Sequence, residues 1–156
     1  MTNVRGVRLG VDVGTVRVGV ARSDPDALLA TPVETLARGA GDLDRISELV
    51  VEYDAVAIVV GLPRSLSGDE SHAANAARGY ARALATSLRA RGVNIPVRLV
   101  DERMSTLTAE QAMRAAGRSA RRQRTVVDQA AAVVILQHAM DSERATGLPP
   151  GETVDI

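Results

Sequence analysis

Asp12, Glu102 and Asp128 are the carboxylates whose types and positions could do chemistry together. Asp12 closes Leu9-Gly10-Val11-Asp12-Val13. Apolar and small or polar residues alternate there, so Val7, Leu9, Val11 and Val13 share one strand face and Arg8, Gly10 and Asp12 the other. A carboxylate beside a glycine, at the exit of an apolar strand, is partly desolvated and requires a cation, a hydrogen-bond donor or a proton. Asp12-x-Gly14 also fits ordinary turn chemistry. Glu102 follows the apolar run Pro96-Val97-Arg98-Leu99-Val100 and could equally pair with Arg103. Asp128 completes Thr125-x-x-Asp128, a capping-box pattern that helix capping alone would explain. What unites the three is that each ends or begins an element at the same presumed edge of a sheet.

Two bare carboxylates about 4 Å apart repel by roughly 4 kcal/mol at an effective dielectric near 20. A cluster of three is tolerated only with bound cations or raised pKa values. Oxygen ligands in a chain without cysteine suit Mg2+ or Mn2+ and argue against structural zinc. His72 and His138 stand apart from the acids in sequence and read as surface or core residues. Hard cations on carboxylates beside phosphate-binding groups point to phosphodiester hydrolysis, with water activated and the leaving oxygen stabilised.

The substrate side of that argument is arginine. All 19 basic residues are arginine, which offers phosphate a bidentate fork and does not lose its proton. Between Met113 and Asp128 stand Arg114, Arg118, Arg121, Arg122 and Arg124 with no acid among them, in a chain of net charge 0. Such a run is commonly a solvated face, but its place beside Asp128 suits a phosphate backbone. Gly61-Leu62-Pro63 reads as the start of a strand-to-helix loop, either plain turn chemistry or a close approach of phosphate to backbone N–H groups. Aromatic rings are limited to Tyr53 and Tyr80, so a nucleic acid would be held by phosphates and shape rather than by base stacking.

These residues must be positioned by one domain, since 156 residues suffice for a single core and leave little for a second. That size also argues against a two-domain sugar-kinase-like or actin-like ATPase. No apolar run is long enough to span a membrane, no secretion signal precedes the first strand, and a cytoplasmic location is expected. Strands are expected on either side of Gly14-Thr15, then an edge strand over Ala27–Leu36 containing Pro32. A helix follows Asp42 and Asp44, with Leu43, Ile46, Leu49, Val50 and Tyr53 at helical spacing. Ala55–Val60 is a buried strand, Gly61–Gly68 a loop, and about Asp69–Arg91 a long helix. After the strand at Pro96–Val100, a helix from Ser105 or Thr106 carries Leu107 and Met113 and ends at Gly117. Gly117–Arg124 is then a basic connector, and Thr125 opens a last helix with Val126, Val127, Ala130, Ala131, Val133, Val134 and Leu136 inward. The sum is an α/β domain with a mixed five-stranded sheet, three antiparallel strands then two parallel, and helices on both faces. Its limits are 1–145, with 146–156 a flexible tail. Sites in such sheets lie off the carboxyl ends of the strands, where Asp12, the loop after Val60 and Glu102 all fall.

Leu9-Gly10-Val11-Asp12-Val13-Gly14-Thr15, Val60-Gly61-Leu62-Pro63 with Gly68, Asp101-Glu102-Arg103-Met104-Ser105-Thr106 and Val127-Asp128-Gln129-Ala130-Ala131-Ala132 occur in that order. Together they resemble the YqgF/RuvX family of pre-16S rRNA nucleases, also described as Holliday-junction-resolvase-like. The resemblance runs from about Arg8 to Met140 and implies an RNase H-like fold. It further implies that Asp12, Glu102 and Asp128 are the catalytic, metal-binding acids. Asp101 adjoins Glu102, and neighbours on a strand point to opposite faces, so only one of the two can face the metal. It implies Mg2+ or Mn2+ as cofactor and hydrolysis at the 5′ end of precursor 16S rRNA, with branched DNA or non-catalytic RNA binding as alternatives. Where the family often has lysine before the last acid, this chain has Arg121, Arg122 and Arg124. The expected nucleic-acid contacts are Arg17, Gly61, Arg64, Arg103, Arg118, Arg121, Arg122 and Arg124. Cutting both strands of a junction would need a homodimer.

Overall fold

The computed structural model describes residues 4–39, 41–63, 71–102 and 120–155, the stretch 120–128 as backbone only. Its centre is the hairpin formed by β1 (Arg8–Val13) and β2 (Arg17–Ser23), which pair antiparallel with Asp12 opposite Gly19. β3 (Ala30–Ala37) pairs antiparallel with β2 and forms one edge of the sheet. Pro32 is tolerated there because an edge strand has spare backbone groups, and a register shift falls beside it at Val20/Ala21.

β4 (Ala57–Leu62) lies parallel to β1, and β5 (Val97–Asp101) lies parallel to β4. A sixth strand, β6 (Glu152–Thr153), pairs antiparallel with β5, so the order is β3-β2-β1-β4-β5-β6 rather than the five strands expected. The addition lies in the segment expected to fray. Arg98 holds that segment by donating to the carbonyls of Pro150 and Gly151 and to the Thr153 hydroxyl. A two-residue strand flanked by Pro and Gly leaves no alternation to read.

Helices α1 (Asp42–Glu52) and α2 (His72–Ala90) cover one face, and α3 (Ala120–Thr146) covers the other. α1 begins where expected, with Asp42 and Asp44 in its first turn. α2 is capped by the Ser71 hydroxyl accepting from the Ala74 N–H. The expected start near Asp69 and the helix expected over Ser105–Gly117 lie outside the described residues. Leu9, Val11, Val18, Val20, Ile58 and Val60 pack under α1 and α2, whereas Ala21, Val59 and Val100 pack under α3. The alternation of each strand therefore reaches both cores.

α3 corrects the sequence reading twice. It is already helical at Ala120, so residues 120–124 of the expected connector are helix, and Thr125 lies inside it rather than at its cap. Its buried face is Ala131, Ala132, Ile135, Leu136, Ala139 and Met140, rather than one built on Ala130, Val133 and Val134, which are only half-buried. A run that is apolar all round carries no stripe from which to choose a face.

Candidate functional site

β1 runs through the middle of the sheet and ends with Asp12 on the α3 side. Gly10, two residues earlier on the same face, lets the helix come close. A Cβ at Gly10 would stand 2.7 Å from the Leu136 Cβ and 2.9 Å from the Ala132 carbonyl oxygen. Farther down, Arg8 lies 3.9 Å from Glu143. Helix and strand therefore run in opposite senses, and position 128, one turn before Ala132, falls at the Asp12 end. Gln129 fixes that end of the helix by donating from Nε2 to the Thr35 Oγ1 at 3.1 Å. Thr35 lies opposite Gly19, which lies opposite Asp12, so one row crossing the sheet joins the anchor to the acid. Nothing in the sequence signals the Gln129–Thr35 bond, because its partners are far apart in the chain.

Glu102 arrives from the other side. It follows β5 directly, and its backbone N–H donates to the Leu62 carbonyl at 3.2 Å. Its side chain is buried, whereas Asp101 is exposed, the opposite orientation expected of neighbours on a strand. Between Glu102 and Asp12 stands Gly61, one residue beyond the Val11–Val60 pair. Gly61 and Leu62 are buried within β4 rather than in a loop. A Cβ at Gly61 would lie 2.6 Å from the Glu102 Oε2 and 2.5 Å from the Ile135 Cδ1. The missing side chain is thus the space into which the Glu102 carboxylate reaches, over β4 and toward β1. Glycine reads as punctuation in a sequence, and here it is a vacancy in a strand.

That carboxylate is poorly provided for. Its Oε2 is buried and has no hydrogen-bond partner among the described residues. Burial, then the negative charges of Asp12 and Asp101, push its pKa from 4.5 up to about 8. A buried carboxylate without a donor, facing other acids, is held by a proton or by a cation. The donor set is oxygen only, which suits a hard divalent ion such as Mg2+ or Mn2+. Among the described residues no three acids, histidines or cysteines converge on one point. The pair Asp12–Glu102 is brought together, and Asp128 belongs to the backbone-only stretch at the same end of α3.

Of the expected nucleic-acid contacts, Arg17 opens β2 at the same rim as Asp12. Arg121, Arg122 and Arg124 lie in the first turns of α3, where only the backbone is described. Arg64, Arg103 and Arg118 lie outside the described residues. A groove of about 380 Å3 sits at the other end of the strands, lined by Arg8, Ala57, Arg98, Met140 and Glu143, and shares nothing with the acid pair. No described helix is long and apolar enough to cross a membrane.

The fold aligns with T. thermophilus RuvC in complex with Holliday junction substrate at TM-score 0.54 and 18% identity, covering 95% of this chain and 99% of that one. That identity shows a shared fold and no more, and the fold is accordingly RNase H-like. A protein of Thermobifida fusca (strain YX), named "Putative pre-16S rRNA nuclease", is 57% identical over 96% of both chains. One of Nocardioides sp. (strain ATCC BAA-499 / JS614), with the same name, is 58% identical over 96% of this chain and 97% of its own. Residues 6–142 match the sequence model of RuvX, described as Holliday junction resolvase. A match that takes in β1 through nearly all of α3, the acid pair included, shows that this protein belongs to the RuvX family of nucleases.

Proposed function

We propose that the protein is a divalent-metal-dependent phosphodiesterase that processes the 5′ end of precursor 16S rRNA. The observation that carries this reading is the Glu102 carboxylate, buried without a donor above Gly61 and within the field of Asp12. Asp12 and Glu102 would hold the cation, and Asp128, at the same end of α3, would complete the set. The chemistry gained from such a cation is a more acidic water as nucleophile and a stabilised leaving oxygen. The chain's own part is to present carboxylate oxygens on rigid strands, keep the space over Gly61 open, and give up the Glu102 proton on loading. Arg17, Arg64, Arg103, Arg118, Arg121, Arg122 and Arg124 would grip the phosphate backbone beside the site, which neutralises charge without reading bases. Gly61, buried in its strand, serves the acids in this reading.

The choice of RNA rests on the names carried by the relatives, and the family description supplies the rival substrate, a DNA junction. Both are tested together, by incubating labelled precursor 16S rRNA and a synthetic four-way DNA junction with the protein, with and without Mn2+. Mn2+-dependent shortening of the RNA at its 5′ end, with the junction intact, is expected. Cleavage of the junction alone would transfer the site to branched DNA. Binding without cleavage of either substrate would make the protein an RNA-binding module.

A further inference from the structure

The turn that leaves Asp12 is held by a residue at the end of the edge strand. Arg38, just beyond β3, donates its backbone N–H to the Val16 carbonyl at 2.8 Å and its Nη1 to the Gly14 carbonyl at 2.9 Å. One side chain and its own backbone thus take two carbonyls of the Gly14–Arg17 turn, which is closed by the Gly14 N–H on the Arg17 carbonyl at 2.9 Å. The guanidinium in turn stands over the Tyr80 ring of α2, 5.7 Å from its centroid. Tyr80 is itself fixed, because its hydroxyl donates to the Asp42 Oδ2 at 2.7 Å, with both residues buried. Asp42 stands in the first turn of α1, where a carboxylate is favoured. The chain of contacts runs from α1 through α2 to the hairpin turn that begins two residues after Asp12.

We propose that Arg38 is a positioning residue for the metal site, with Tyr80 and Asp42 as its fixed support. The proposal rests on the reading of Asp12 as a cation ligand. β1 is restrained along its length by β2 and β4, but its last residues lead into a turn that projects beyond the ladder, with Val16 66% exposed. A carboxylate on such an end drifts with its turn unless the turn is tied down, and a ligand out of place by a fraction of an ångström binds its ion less well. Arg38 ties it down through the carbonyls of Gly14 and Val16.

Two measurements on Arg38→Met, Arg38→Lys and Tyr80→Phe test this. The first is amide hydrogen exchange across residues 13–18. Loss of one hydrogen bond of ordinary net worth corresponds to about three- to tenfold faster exchange. That increase is expected in Arg38→Met, with the amides of α2 and β4 unchanged. Arg38→Lys, which can still reach a carbonyl, should recover part of it. Tyr80→Phe, which keeps the ring and removes only the hydroxyl, should show the same change at smaller amplitude and stands in if Arg38→Met does not fold. The second is the Mn2+ concentration giving half-maximal RNA cleavage, expected to rise about three- to tenfold in Arg38→Met with the KM for RNA unchanged. Unchanged exchange at residues 13–18 overturns the proposal, as does a raised KM for RNA at an unchanged Mn2+ requirement, which would make Arg38 a phosphate contact. If the wild-type protein does not cleave at all, the nuclease reading fails and the exchange comparison alone decides on the clamp.

Discussion

A carboxylate oxygen sealed from water beside other acids raises the energy of the folded chain until a proton or a cation reaches it. Glu102 is in that state, and its pKa fixes the sign of the consequence. Below pH 4.5 the group is protonated whether the chain is folded or not. Between 4.5 and about 8 the folded chain keeps a proton that the unfolded chain releases, so metal-free stability falls as pH rises through that window. Glu102→Gln should therefore stabilise the metal-free protein by about 2–4 kcal/mol near pH 8 and by nothing below pH 4.5, as read by urea denaturation at several pH values. Gly61→Ala is the steric counterpart. A methyl group 2.6 Å from the Glu102 Oε2 must move the carboxylate, and the added thermal stability that Mn2+ confers on the wild-type protein should disappear in a melting experiment. The face of Asp12 and the opposition of Asp101 to Glu102 were legible, because a period of two separates neighbours on a strand without coordinates, but which of the two turns inward was not. The role of Gly61 was not, since nothing local distinguishes a glycine that ends a strand from one that makes room inside it.

At the scale of the elements, β1 and α3 make the contact that matters most. Leu136 is fully buried over Gly10, and Leu136→Ala should cost about 2–5 kcal/mol in chemical denaturation. The α1–α2 contact responds differently to pH. Hydrogen bonds from Tyr80 and from the backbone hold the Asp42 pKa below its ordinary 3.8, against the raising effect of burial. Its contribution is present above that value and is lost as pH falls through the lowered pKa. Tyr80→Phe should thus cost about 1–3 kcal/mol at neutral pH, with the gap to wild type closing in acid, measured by denaturant titration at both. Where the hydrophobic pattern is periodic, as in β1, β2 and α1, the elements fell where the sequence placed them. The start of α3 did not, because arginine and glutamine are good helix formers that leave no apolar signal. Its Thr125-x-x-Asp128 pattern resembled a cap but sits within the helix, which removes one structural explanation for Asp128.

The molecule as a whole is electrically neutral, and among the described residues Arg17 opens β2 at the rim where β1 ends with Asp12. Arg121, Arg122 and Arg124 lie in the first turns of α3, the end that meets Asp12. Replacing all three with alanine should weaken binding to every RNA sequence alike. For each duplex phosphate that the variant no longer neutralises, the slope of log affinity against log salt should fall by roughly 0.9. A salt titration with an unaltered slope would show those arginines to be solvated only. The claim on which the rest depends is that Asp12 and Glu102 share one divalent ion. Calorimetric titration of Mn2+ into wild-type protein, Asp12→Asn and Glu102→Gln near pH 7 tests it most directly. Binding with proton release by the wild type and none by either variant is the predicted result; equal affinity in all three would contradict it.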